Sequence, residues 1–132
     1  MIRVRVHRRF SDLDPLGHVN NVVFHDYLQE ARIGMLQDLG FVRGPGFAQV
    51  VAQQDIKHLK PLLLHPEPVM VETWIEHVGN SSYRIAYRVI DENGDCAAVA
   101  TTVMAVVDAD TGRPIRMPDK LRDVLTALTI VR

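Results

Sequence analysis

Between Arg9 and Arg32 the chain reads RFSDLDPLGHVNNVVFHDYLQEAR, and this stretch holds the residues best suited to chemistry. Asp12, Asp14 and His18 fall in a segment punctuated by Pro15 and Gly17, followed by Asn20, Asn21 and a helical pattern. A carboxylate just ahead of a helix N-terminus suits acyl chemistry. The carboxylate serves as base or nucleophile, and unsatisfied backbone N–H groups at the helix start receive a developing oxyanion. The plainer role for Asp14 is turn formation, and for Asn20 and Asn21 it is capping of the helix. His18 divides evenly between contacting water or a substrate carbonyl and bonding to its own loop. Asp12 is read as a structural carboxylate. Asp12, Asp14, His18 and His25 together offer ligand types that suit zinc or iron. Their spacing matches no closed-site pattern and no cysteine joins them, so no metal is expected.

Several elements must position these groups. Residues 2–9 alternate Ile2, Val4 and Val6 against Arg3, Arg5 and His7, a strand pattern. Asp14-Pro15-Leu16-Gly17 interrupts it. From about Asn20 or Asn21 to Leu39, the apolar positions Phe24, Tyr27, Leu28, Ala31, Met35, Leu36 and Leu39 describe a one-sided helix, with Gly40 as its C-cap and Gly44-Pro45-Gly46 as a loop. Residues 49–59, 68–77, 83–90 and Cys96–Val107 read as strands. A hairpin through Gly79-Asn80-Ser81 places Glu76 opposite Arg84 and Glu72 opposite Arg88, with Tyr83, Ile85 and Tyr87 on the other face. Glu92-Asn93-Gly94 is a further hairpin turn. A last helix follows Pro118, with Leu121, Val124, Leu125 and Leu128 on one face. The fold class is α+β: an antiparallel sheet wrapped around the one helix long enough to cover its apolar face. Exposed sheet edges favour pairing with a second copy.

The bulk properties agree with one domain spanning residues 1–132. Of its residues, 47% are hydrophobic and 23% charged, and the formal net charge of −1 exerts no general pull on nucleic acid or an anionic membrane. The single cysteine, Cys96, excludes an intrachain disulfide framework and is read as a buried packing thiol. No signal peptide or spanning segment is visible, so a soluble cytoplasmic protein is expected.

The order of elements and the segment from Asp12 to Asn21 resemble the hotdog-fold acyl-CoA thioesterases of the 4-hydroxybenzoyl-CoA thioesterase family. His18-Val19-Asn20-Asn21 also resembles the acyl-carrier-protein branch of that superfamily. Leu59-Lys60-Pro61, Val69-Met70-Val71-Glu72-Thr73, Gly79-Asn80-Ser81-Ser82 and the Asp108 to Ile115 ending extend the likeness over nearly the whole chain. Many bacterial members carry an aromatic or aliphatic pair after the glycine, where this chain has His18 and Asn20. The substrate branch therefore stays open. The resemblance implies thioester hydrolysis, with Asp14 as general base or nucleophile and a backbone N–H near Asn21 polarising the carbonyl. It also implies a homodimer or dimer of dimers with interfacial sites, and coenzyme A as part of the substrate rather than as a cofactor.

Lys57, His58 and Lys60 on the second strand are then candidates for the phosphates of coenzyme A, and Asn20 and His18 for contacts near the acyl group. Arg3, Arg5, Arg8 and Arg9 are read as the solvated face of the first strand, and Glu30 as an exposed helical glutamate. Two other readings share the fold. One is an enoyl-thioester hydratase, although that design calls for asparagine at Asp14 and histidine two residues after the proline, where His18 is three after. The other is a non-catalytic module that binds acyl thioesters.

Overall fold

The computed structural model describes residues 1–40 and 46–129. Strand β1 (Ile2–Val6), helix α1 (Val23–Asp38), strands β2 (Phe47–His58), β3 (Val69–Val78), β4 (Ser82–Ile90) and β5 (Cys96–Asp108), and helix α2 (Asp119–Ala127) follow in order. They build one sheet in the order β1-β3-β4-β5-β2, with every pairing antiparallel. The expected loop at Gly44-Pro45-Gly46 lies, apart from Gly46, outside the described residues.

Strands β3, β4 and β5 form a meander. Glu72 sits opposite Arg88 and pairs with it at 2.7 Å, as the charge alternation predicts. The second expected pair does not form. A bulge between Ile75 and His77 skips Glu76 and sets His77 opposite Arg84. The cause is a conflict of registers. The two-residue turn Asn80-Ser81, closed by the Gly79 N–H on the Ser82 carbonyl at 2.7 Å, imposes one register on the strand ends. Burial of Val71, Thr73 and Ile75 imposes the other, and one extra residue reconciles them.

Strand β2 does not pair with β3, its neighbour in sequence, but lies beyond β5 at the far edge. The connection through residues 59–68 contains Pro61, Pro66 and Pro68, which cannot donate to a ladder. It is held by Arg8, whose guanidinium donates to the carbonyls of Leu63 at 3.0 Å and Glu67 at 2.7 Å and to Glu92 at 3.2 Å. The reading of Arg8 as a solvated strand residue is therefore corrected: its side chain is fully buried. Strand β1 also ends at Val6 rather than at residue 9, because its partner β3 begins at Val69, directly after a proline.

Helix α1 contributes Phe24, Tyr27, Leu28, Ala31, Met35 and Leu36 to a core shared with the inner sheet face and with Leu121 and Leu125 of α2. It starts at Val23, not at Asn20 or Asn21, and ends before Gly40, whose positive φ of 76° takes up the reversal. Arg32 is also buried on this helix. Cys96 is half-buried, with its thiol donating to the Ala98 carbonyl at 3.4 Å. Among the described residues, no helix is long and apolar enough to cross a membrane.

Candidate active site

The segment from Asp12 to Asn20 is a miniature hairpin. Leu13 bridges Val19, and the Asn20 N–H donates to the Asp12 carbonyl at 2.9 Å. Its tip, Asp14-Pro15-Leu16-Gly17, closes with the Gly17 N–H on the Asp14 carbonyl at 3.0 Å and the Asp14 N–H on the His18 carbonyl at 2.8 Å. Gly17 has φ 81°, the left-handed position that follows such a turn and suits glycine. The outer side, at His18 and Val19, rests on Leu63 and Leu62 of the segment that Arg8 secures.

Within this turn, Asp14 Oδ1 accepts from the N–H groups of Leu16 at 2.9 Å and His18 at 3.3 Å. The β4–β5 turn repeats the pattern: Asp91 Oδ1 accepts from Asn93 and Asp95, and the Gly94 N–H closes on the Asp91 carbonyl. The comparison separates the two oxygens of each carboxylate. Asp91 Oδ2 is taken up by Lys60 Nζ at 2.7 Å, whereas Asp14 Oδ2 has no hydrogen-bond partner among the described residues. One oxygen of half-buried Asp14 holds the turn, and the other is open to a ligand.

Asp12 fixes this hairpin to α1. Buried, it accepts from Tyr27 Oη at 2.6 Å, from the Arg9 N–H at 2.9 Å and from Arg9 Nε at 3.3 Å. Burial alone would raise its pKa, but the Tyr27 and Arg9 hydrogen bonds outweigh it and hold the carboxyl below its usual range. Burial, reinforced by the Asp12 charge, pushes the Tyr27 phenol up. Asp12 is therefore the structural carboxylate that the sequence suggests.

At the start of α1, Asn20 acts two residues ahead of the N-cap. Its Oδ1 accepts the Val22 N–H at 2.9 Å and its carbonyl accepts the Val23 N–H at 2.9 Å. The N-cap residue is Val22, which has no side-chain capping bond. Asn21 caps nothing; it is exposed, and its backbone N–H has no partner among the described residues. An open N–H thus stands at the positive end of a 16-residue helix, joined to Asp14 by the hairpin that Asp12 anchors.

The basic residues of β2 and its exit do not form one cluster. His58 packs its ring edge-on against Phe24 of α1, with centroids 4.7 Å apart. Lys57 lies on the other face of the sheet and lines an open cavity of about 400 Å³ with Trp74, Glu76, Arg88 and Thr101. Lys60 bridges Asp91 at 2.7 Å and Asp95 at 3.0 Å, and these hydrogen bonds hold its ammonium above its usual pKa. Lys60 thus ties the end of β2 to the β4–β5 turn. Glu30 is exposed and lies 3.9 Å from Arg9. Among the described residues, no three His, Cys, Asp or Glu side chains gather as a metal site.

Sequence reasoning missed a polar group between α1 and the sheet, made of His25, Arg32, Gln54, Tyr87 and Thr102. The available signal was the position of Arg32, four residues after Leu28 and four before Leu36, inside the apolar stripe.

The thioesterase-like superfamily model matches residues 8–125 of this chain, including the Asp14 hairpin and α1. A thioesterase from Thermus thermophilus, whose crystal structure contains coenzyme A and Zn, shares 40% identity, with a TM-score of 0.81 over 96% of this chain and 92% of that one. The PA5185 protein of Pseudomonas aeruginosa is 26% identical, with a TM-score of 0.88 over 98% of this chain and 92% of that one. YsmA of Bacillus subtilis is 28% identical over 123 residues, covering 92% of this chain and 82% of its own length. On the matched segment and these relatives, the chain belongs to the thioesterase-like superfamily and is a thioester hydrolase of the hotdog fold.

Proposed function

We propose that this protein hydrolyses an acyl-CoA, or the same acyl group carried on an acyl carrier protein, with Asp14 and the Asn21 N–H as the reacting pair. The observation that carries the reading is the open Asp14 Oδ2, held by the same hairpin that leads to an open N–H at the start of α1. In one course, Asp14 takes a proton from water as its oxygen attacks the thioester carbon. In the other, the carboxylate attacks directly and water then hydrolyses the mixed anhydride. Either way the carbonyl oxygen gains charge where the Asn21 N–H and the helix dipole stabilise it. The thiolate leaves without needing a strong acid and collects a proton from solvent.

The coenzyme A bound in the Thermus thermophilus relative supports that form of substrate. His58 beside Phe24, and Lys57 on the opposite sheet face, are proposed as contacts for its nucleotide end, with His18 and Asn20 near the acyl group. The assembly proposed is a homodimer or dimer of dimers, in which the sheet curves about α1 in each single-domain, cytoplasmic subunit. The 12-residue edge strand β2, exposed over much of its length, supports such pairing.

The test is thiol release from short, long and aromatic acyl-CoAs by the wild type and by Asp14→Asn. Wild-type turnover reduced about 10²–10⁴-fold in kcat by this substitution is expected. Undiminished activity in Asp14→Asn refutes the assignment. Hydration of crotonyl-CoA without thiol release, or binding without turnover, refutes the reaction itself.

A further inference from the structure

We infer that His25 is a further substrate-contacting residue: a second donor to the thioester oxygen, presented in its Nε2–H form by a polar chain that starts at buried Arg32. The inference rests on the thioesterase reading and adds a residue to it. Arg32, only 7% exposed, is the source of the chain. A guanidinium can only donate, and Arg32 Nη1 donates to Tyr87 Oη at 3.3 Å and to Gln54 Oε1 at 3.0 Å. Tyr87, having accepted, donates to Thr102 Oγ1 at 2.9 Å, and Thr102 donates to Gln54 Oε1 at 2.7 Å.

Every proton in this chain runs toward the Gln54 oxygen, and that fixes which end of the amide faces outward. The Gln54 nitrogen therefore lies against His25 Nδ1, 2.6 Å away, and an amide nitrogen only donates. Nδ1 must accept, so the proton of the neutral ring sits on Nε2. That N–H has no partner among the described residues, and His25 is exposed.

Position supplies the target. Helical side chains lean toward the N-terminus, so each covers the turn before its own Cα. His25 is the third residue of α1 and lies four residues after Asn21, whose N–H is open at the helix start. A thioester oxygen polarised by that N–H lies beside a second, side-chain donor. The bond to His25 strengthens as the oxygen gains negative charge, so it acts on turnover more than on binding.

The test measures kcat and KM of His25→Phe, His25→Gln and His25→Asn on an acyl-CoA that the wild type turns over. The glutamine amide nitrogen reaches the position of Nε2, and the asparagine amide reaches only that of Nδ1. His25→Phe and His25→Asn are expected to lose about 10–100-fold in kcat with little change in KM, and His25→Gln to keep most of the wild-type rate. Nitrogen NMR of histidine-labelled protein, at a pH where the ring is neutral, is expected to show the proton on Nε2. His25→Phe within twofold of wild type, equal rescue by asparagine and glutamine, or a proton on Nδ1 overturns the inference. Failure of the thioesterase reading looks different: the wild type itself releases no thiol.

Discussion

Replacing Tyr27 by phenylalanine tests the anchoring of the Asp14 hairpin with almost no change in shape. The ring stays in the core, and one donor at 2.6 Å is removed from a buried carboxylate that keeps two weaker bonds from Arg9. Hydrogen bonds to charged groups contribute about 1.5–3 kcal/mol. The short distance and burial of Asp12 favour the upper part of that range, and the remaining Arg9 contacts favour the lower, so a loss of about 2 kcal/mol is expected at pH 7. Urea unfolding followed by the fluorescence of Trp74, the sole tryptophan, measures it at fixed protein concentration.

The loss depends on pH in a defined direction. Folding depresses the Asp12 pKa, so its contribution is fully present above the unfolded value of about 3.9 and disappears as pH falls through the folded value. Without Tyr27 the folded value moves back up, and the contribution is smaller at every pH where Asp12 is ionised. The gap between the two proteins is therefore widest near neutrality and narrows below about pH 4. A cost under about 0.5 kcal/mol at pH 7, or a gap that persists unchanged to pH 3, refutes Asp12–Tyr27 as the anchor.

Two other substitutions separate positioning from charge. Gly17→Ala forces an L residue to φ 81° where its Cβ meets nothing within 4 Å, so the cost is backbone strain of about 1–2 kcal/mol. Because this turn aims Asp14, a several-fold fall in kcat should accompany the shift in urea midpoint, and an unchanged kcat would count against that role. Lys60→Met removes the half-exposed bridge to Asp91 and Asp95 and is expected to lower the urea midpoint. Its KM for an acyl-CoA should be unchanged if Lys60 serves the frame alone; a rise of tenfold or more would mark Lys60 as a phosphate contact.

The elements were legible because their periods are strong. The stripe from Phe24 to Leu36 marked α1, and the alternation of Tyr83, Ile85 and Tyr87 marked the buried face of β4. The Asp14 turn was legible for a similar reason, since Asp-Pro-Leu-Gly closes through its own local hydrogen bonds. The bulge at Glu76 was not, because it arises from competition between a turn and a distant core face.

The resemblance to hotdog thioesterases marked Asp14 and the N–H near Asn21 as the groups to watch, while the sequence by itself determined the α+β class and the turn ahead of α1. These depend on periodicity and on bonds spanning a few residues. Only the tertiary structure decided which oxygen of Asp14 is open, that Arg8 and Lys60 hold the frame, and that Gln54 orients His25. Those outcomes depend on partners far apart in sequence: Arg8 with Leu63, Lys60 with Asp91, and Gln54 with His25 and Thr102. Whether a polar atom is open or occupied follows from the donors and acceptors that folding brings within reach, and neither composition nor spacing records them.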